Sequence, residues 1–293
     1  MAPFMSSRYA LRSIVRRARH ASERKAFFCT ETPALFPHPV SMVNGASRGL
    51  GLALTEKLLT KHPDSPVVAT CRNPDSAAGL SALKERFPSQ LTVLRLDVTM
   101  EDTMEAVAKE ISSKYGRLDM LVSTSGILHI PDQMEPEPKL VNVDPKNLML
   151  AYRVNAVGPI LVAKHMMPLL KTGLGQGTGR EVAVVANITC KMASLRDNLL
   201  GGWYAYRASK ASLNQFTKTL SVECQRRKDP VICVVIHPGV VDTELSKPYQ
   251  RDIPPEKLFT PETSAEKLMD ILDSLTPEDT GKFFSYTKQE IPW

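Results

Sequence analysis

Tyr206 and Lys210 stand four residues apart in a stretch with helical patterning, so their side chains project from one face. A free phenol ionises near ~10, too high for ready proton exchange at neutral pH. An adjacent ammonium favours the phenolate, and Lys210 is therefore expected to draw the Tyr206 pKa down. Such a phenol can protonate a carbonyl oxygen or deprotonate an alcohol while a nicotinamide moves the hydride. A tyrosine and a lysine at this spacing recur by chance in many helices, so the pair carries weight only in company.

Company is found near the start of the first apolar run. Asn44-Gly45-Ala46-Ser47-Arg48-Gly49-Leu50-Gly51 lies between a strand-like segment and a helical one, the setting in which a glycine turn cradles a pyrophosphate. Gly45 permits the tight turn, Gly49 the close backbone approach and Gly51 the packing of helix on strand. A purely structural turn needs the same residue types, so position along the chain decides. Past the second apolar run, where an NAD site would place an acid against the ribose 2′-hydroxyl, the chain has Cys71-Arg72. An arginine there suits a 2′-phosphate, as does Arg48 inside the turn, and both point to NADP(H). Asp97, after the third run, is a candidate acceptor for the adenine amino group.

These residues need a scaffold that repeats. Short aliphatic runs at 39–43, 66–71, 91–96, 117–123, 181–188, 231–236 and 281–285 alternate with helical patterns at 50–61, 76–87, 101–115, 147–171, 203–228 and 262–274. Runs such as 231–236 are apolar at every position, as strands buried on both faces of a parallel sheet must be. The expected fold is a doubly wound α/β Rossmann sheet of about seven parallel strands with helices on both faces, occupying 39–293 as one domain. Residues 128–146, rich in Pro and acidic groups, follow the fourth strand at its carboxyl end; they either edge the site or form a solvated insertion. The glycine-rich stretch 171–180 precedes a strand, so it reads as a connector and not as a phosphate turn.

The formal charge of +6 is concentrated at the front. Residues 1–38 hold seven basic and two acidic residues, so the remainder is nearly neutral, which argues against a nucleic-acid surface. Arg8, Arg12, Arg16 and Arg19 recur opposite Leu11, Ile14, Val15 and Ala18, with Glu23 the first acid. This pattern reads as a mitochondrial or chloroplast transit peptide, with a basic tail on a cytoplasmic protein as the alternative. No run approaches the ~18 apolar residues of a transmembrane helix. The five cysteines form no C-x-x-C pair, the histidines show no metal-ligand spacing, and there is no G-x-S-x-G elbow.

Taken together, Gly45-x-x-x-Gly49-x-Gly51, Asp97-Val98, Arg153-Val154-Asn155-Ala156, Tyr206-Arg-Ala-Ser-Lys210 and Pro238-Gly239-Val-Val-Asp-Thr243 resemble the short-chain dehydrogenase/reductase superfamily. The resemblance covers nearly all of 39–293. The segment Gly201 to Lys210 and the ending Glu290-Ile291-Pro292-Trp293 look closest to the sniffer and C-factor group, which is similar to carbonyl reductases. The resemblance implies cofactor contacts from Gly45, Ser47, Arg48, Gly49, Leu50, Gly51, Arg72, Asp97, Val98, Ser125, Gly126, Pro238, Gly239, Val241 and Thr243, shared with Tyr206 and Lys210. It also implies that Asn155 holds a water in a proton relay with Lys210, which binds the nicotinamide ribose.

Two departures from the family pattern stand out. Asn187-Ile188-Thr189-Cys190 places Cys190 where the family has the serine that holds the substrate carbonyl. A thiol donates a weaker hydrogen bond than a hydroxyl, so oxyanion stabilisation should suffer unless Thr189 turns in to replace it. Ser123-Thr124-Ser125-Gly126 stands where the family shows N-N-A-G, so the central scaffold is held differently. The expected function is NADPH-dependent reduction of an aldehyde, ketone or quinone through Tyr206, Lys210 and Asn155. The alternative is an NADP(H)-binding pseudoenzyme or sensing protein weakened by Cys190. The partner is a small carbonyl or alcohol, with symmetric self-association as the common default for such enzymes.

Overall fold

The computed structural model describes residues 36–173, 175 and 181–293. The expected leader lies outside the described residues up to position 35, as does most of the glycine-rich stretch at 174 and 176–180. The folded body reaches back at least to Phe36, whose N–H donates to Tyr115 O at 3.1 Å and whose ring meets the Tyr115 ring edge-on.

Strands and helices alternate as β1 (Ser41–Asn44), α1 (Gly49–Lys61), β2 (Val67–Cys71), α2 (Ala78–Arg86), β3 (Leu91–Arg95), α3 (Glu101–Tyr115) and β4 (Met120–Ser123). Next come α4 (Pro145–Tyr152), α5 (Gly158–Leu170), β5 (Ala183–Ile188), α6 (Tyr204–Arg227) and β6 (Val231–Ile236). Two short strands, β7 (Val240–Val241) and β8 (Leu258–Phe259), pair with each other, and α7 (Pro261–Asp273) and β9 (Phe283–Phe284) complete the order. The main sheet has seven parallel strands in the order β3-β2-β1-β4-β5-β6-β9. Strand order reverses between β1 and β4, and in such sheets the crevice beyond the carboxyl ends at that reversal is where ligands bind.

Period-two alternation divides each strand between two apolar layers. In β5, Val184, Ala186 and Ile188 pack with α1, α2 and α7, while Ala183 and Val185 pack with α3, α5 and α6. β6 splits the same way, with Ile232, Val234 and Ile236 on one face and Val231 and Cys233 on the other. Every residue of both strands is buried, as the unbroken apolar run of β6 and the run of β5, interrupted only by Asn187, required.

Three local features differ from the sequence expectation. The helix expected over 147–171 is two helices joined by a π turn at Arg153–Val157, closed by Gly158 N–H donating to Arg153 O. Pro159 has no N–H to offer the Asn155 carbonyl four residues earlier, so the ordinary α ladder cannot run through this point. The fourth strand starts at Met120 and not at 117, because Arg117 and Asp119 form a buried ion pair in which Asp119 Oδ2 also accepts Val40 N–H at 2.7 Å. The pair β7 and β8 was not expected at all, since two-residue strands carry no periodicity. Among the described residues no helix is long and apolar enough to cross a membrane.

Candidate active site

The glycine turn emerges from β1 at the strand-order reversal. Gly45 and Gly49 take φ of +87° and +53°, values an L side chain rarely adopts. A Cβ on Gly51 would sit 2.3 Å from Gly45 O, which is the close helix-on-strand approach that spacing required. No side chain among the described residues caps the first turn of α1, whose N-cap is Arg48 in extended conformation. Its amide groups are therefore left to an anion, and a pyrophosphate fits this cradle. Ser47 and Leu50 lie half-buried in the turn, with Leu50 packed on the core beneath it.

The hydroxyls of 123–125 hold that turn. Thr124 N–H donates to Asn44 O at 2.9 Å, and its hydroxyl bonds to Asn44 O at 2.9 Å and Gly45 O at 3.2 Å. Asn44 Nδ2 donates to Ser125 Oγ at 3.1 Å. The substitution of hydroxyls for amides thus keeps the turn tied to β4 by a different set of bonds. From the other side, Thr243 Cγ2 would lie 3.0 Å from a Cβ on Gly49, so the segment after Pro238-Gly239 closes against the same turn. Ser264 anchors Pro238 through its carbonyl at 2.8 Å, Gly239 has φ of +85°, and Val241 is buried in β7.

Arg72 is exposed beyond the carboxyl end of β2, and Arg48 is exposed in the turn. Asp97 follows β3 with Oδ1 accepting Thr99 N–H at 2.8 Å and Thr99 O–H at 2.7 Å. Burial alone would raise the Asp97 pKa, but these bonds and the charges of Arg72 and Arg153 hold it below the usual carboxylate value. Val98 backs this region against Gly158, where a Cβ would approach Val98 Cβ to 2.6 Å.

Deeper in the crevice, α6 carries Tyr206 and Lys210, both buried. Lys210 Nζ donates to Ile188 O at 3.0 Å and lies near Gly126, whose notional Cβ would be 3.2 Å from it. Burial lowers the Lys210 pKa to about 8, with a small opposing effect from Cys190. Tyr206 departs from expectation: burial and then the neighbouring Cys190 push its pKa well above the ordinary phenol value, so desolvation outweighs the influence assigned to Lys210. Asn155, fully buried in the π turn, accepts Ile127 N–H at 2.7 Å and donates to Ile127 O at 2.8 Å and Ser209 Oγ at 3.0 Å. It locks the loop after β4 to the helix bearing Tyr206.

The two residues that competed for the serine position point differently. Thr189 donates to Asn214 Oδ1 at 2.7 Å, two turns along α6 from Tyr206. Cys190 is the neighbour that perturbs Tyr206, and burial raises its own thiol pKa despite Lys210 nearby.

Sequence reasoning missed the wall beside this cluster. Trp203, with φ of 53°, meets Tyr206 edge-on at a centroid distance of 6.2 Å and Tyr249 at 5.0 Å. Trp203 N–H donates to Glu137 O at 2.6 Å and Ala205 N–H to Glu137 Oε2 at 3.1 Å, so the loop 128–146 does edge the site. His237, at the end of β6, has its pKa lowered to about 4 by burial and by Lys191.

A family model described as short chain dehydrogenase matches residues 39–254. The C-signal of Myxococcus xanthus is 33% identical over 190 residues, covering 65% of this chain and 100% of that protein. The solved carbonyl reductase Sniffer of D. melanogaster superposes with a TM-score of 0.75 at 28% identity, over 87% of this chain and 99% of that one. An NADPH-bound carbonyl reductase from chicken fatty liver gives a TM-score of 0.77 at 27% identity, over 87% and 100% of the two chains.

Proposed function

The chain belongs to the short-chain dehydrogenase family, and from that premise we propose that it uses NADPH to reduce the carbonyl of an aldehyde, ketone or quinone to an alcohol. The observation that carries this reading is geometric: the Tyr206 phenol and the Lys210 ammonium are buried together beside Cys190 at the carboxyl end of β5, in the crevice at the strand-order reversal. A phenol there can give its proton to a carbonyl oxygen in reduction and take one back from an alcohol in the reverse direction, and the reduced cofactor sets which way the reaction runs. The NADPH-bound relative of similar fold, the uncapped start of α1 and the basic Arg48 and Arg72 support the cofactor.

When bound, the reduced nicotinamide supplies a hydride to the carbonyl carbon. Tyr206 transfers its proton to the carbonyl oxygen, and Cys190 orients that oxygen with a weak S–H bond. Lys210, with its pKa near 8, exchanges protons close to neutral pH and restores the one Tyr206 gives up. Asn155 keeps the donor helix and the loop after β4 in register, and the proposed relay assigns it a water beside Lys210. The experiment is NADPH oxidation against a panel of aldehydes, ketones and quinones. Tyr206→Phe is expected to abolish turnover and leave NADPH affinity within about twofold; undiminished turnover overturns the assignment.

Cys190 favours a second reading, a nucleotide-binding protein with weakened catalysis, which the same panel tests: tight NADPH binding with no carbonyl reduced by the native protein or by Cys190→Ser supports it. For residues 1–38 we hold to import into a mitochondrion or chloroplast followed by cleavage. A uniform cytosolic signal from the tagged full chain with an intact amino terminus contradicts that.

A further inference from the structure

Three adjacent residues, Gly201, Gly202 and Trp203, take φ of 65°, 67° and 53°. Glycine adopts this region freely, but a tryptophan there is strained, and a bulky residue kept in such a conformation marks a place where its ring has to be. Glu137 enforces it, accepting Trp203 N–H with its carbonyl and Ala205 N–H with its buried carboxylate. The indole is thereby fixed beside the Tyr206 ring, one helical turn before the proton donor.

Tyr249 covers the indole from a separate segment, between β7 and β8. Its centroid lies 5.0 Å from that of Trp203, too close to admit another ring between them. A single latch ties it down: its hydroxyl donates to Glu135 Oε2 at 2.7 Å, with His129 edge-on at 5.9 Å and His129 Nε2 bonded to Glu244 O at 3.0 Å. Glu135 is exposed and Tyr249 half-buried, so this contact opens at far less cost than the one holding Trp203.

Three cations of the flanking elements are already engaged. Arg207 donates to the carbonyls of Gly201, Gly202 and Met192, Lys191 pairs with Asp197 at 2.9 Å, and Lys210 is bonded to Ile188 O. An anionic substrate group beside the indole would meet the Glu137 and Glu135 carboxylates that hold the two rings, with none of these three cations free to balance it.

Resting on the carbonyl-reductase reading above, we propose that Trp203 and Tyr249 determine specificity, selecting an uncharged, flat aromatic carbonyl that takes the place of Tyr249 against the indole. The exchange replaces one aromatic contact with another, and it delivers the carbonyl beside Tyr206. A saturated ring is thicker than an aryl plane and has no π face to return the contact.

Acetophenone and cyclohexyl methyl ketone test this, having the same skeleton and differing in ring saturation. Conjugation makes the aryl ketone intrinsically less electrophilic, so a preference for it must come from the protein. Affinity for each ketone is measured by saturation-transfer NMR on the NADP+-loaded protein, which cannot turn them over, and kcat/KM with NADPH. The expected result is at least tenfold tighter binding of acetophenone, retained in Trp203→Phe and lost in Trp203→Leu. Glu135→Gln and Tyr249→Leu, which loosen or remove the competing ring, should tighten acetophenone binding several-fold and by a clearly larger factor than they tighten the saturated ketone. Equal binding of the two ketones by the native protein, or a ratio that survives Trp203→Leu, overturns the proposal; should that variant not fold, an unchanged acetophenone affinity in Glu135→Gln and Tyr249→Leu does so. Selective binding without turnover of either ketone counts against the reductase reading and leaves the aromatic site standing.

Discussion

The Thr189 hydroxyl donates to Asn214 Oδ1 at 2.7 Å, and so is engaged on α6 two turns beyond the proton donor Tyr206. Asn214 Nδ2 has no partner among the described residues, so its oxygen is the one end of the amide that is satisfied. Thr189→Val keeps the shape but leaves a buried amide unpaired, which costs about 1–3 kcal/mol. The expected outcome is a lower urea midpoint with kcat changed less than threefold. Cys190→Ser is expected to do the opposite: similar stability, with kcat/KM raised about tenfold as a hydroxyl replaces the thiol beside Tyr206. A large loss of kcat in Thr189→Val with no change in Cys190→Ser would assign the carbonyl to Thr189 instead.

Arg72 and Asp97 sense each other across the ends of β2 and β3, and no acid stands at Arg72's own position. A 2′-phosphate placed there would meet a cation, whereas a bare 2′-hydroxyl would find no carboxylate on residue 72 to accept from it. The native protein is expected to bind NADPH more tightly than NADH, and Arg72→Asp should reverse or erase the preference, as read by fluorescence titration of both nucleotides. Because Arg72 is exposed, the preference should weaken as salt is raised. Equal native affinity for the two nucleotides contradicts this assignment.

His237 makes acid stability measurable. Burial, and secondarily Lys191, lowers its pKa from the ordinary 6.5 to about 4, and its Nδ1 has no partner among the described residues. Between these values the unfolded chain binds a proton that the folded one does not. Stability present above pH 6.5 is therefore lost as pH falls, with the loss complete near pH 4. The depression is worth up to about 3 kcal/mol. Urea unfolding of native protein and His237→Asn from pH 7 to 4 should show the native curve falling more steeply; parallel curves would mean that His237 is not held neutral by its surroundings.

The parts of this molecule readable from sequence were those in which one strand or one helix suffices. β5 and β6 are buried on both faces, so their apolar runs announced them. The Gly45–Gly51 turn and the Tyr206–Lys210 pair are local, and their spacing encodes their geometry. The break at Arg153–Val157 was missed because the apolar pattern runs on through it, although Gly158-Pro159 was the available signal. Tyr206's raised pKa was not legible either, since spacing shows the ammonium and not the depth of burial. The wall was hidden for another reason: Trp203, Tyr249 and His129 come from three loops, and only the fold brings their rings together. The one local hint was a paired glycine before a tryptophan, both glycines being in the left-handed region.

The segment 290–293 has a part in the site that the motif pattern alone did not explain. Ile291 is buried against Phe283 and Val235, and its N–H donates to Phe283 O at 2.7 Å, which fixes the segment to β9. From there, Pro292 O accepts the buried Ser194 hydroxyl at 2.5 Å, and Trp293 O accepts Arg196 N–H at 3.2 Å. Ser194 Oγ in turn accepts Asp197 N–H at 3.1 Å. The loop so clamped has Cys190 at one end and Trp203 at the other, so its shape sets the two residues that flank Tyr206. Ser194→Ala leaves Pro292 O and Asp197 N–H short of a partner, at a cost of about 1–3 kcal/mol. Among the described residues no hydrogen bond or ion pair joins the glycine turn, Arg72 or Asp97 to this loop, so NADPH affinity should stay within twofold of native. The KM for the carbonyl substrate is expected to rise roughly three- to tenfold through lost positioning, and deletion of residues 292–293 should give the same pattern. A lower melting temperature with KM and kcat both unchanged would reduce the clamp to a structural tie.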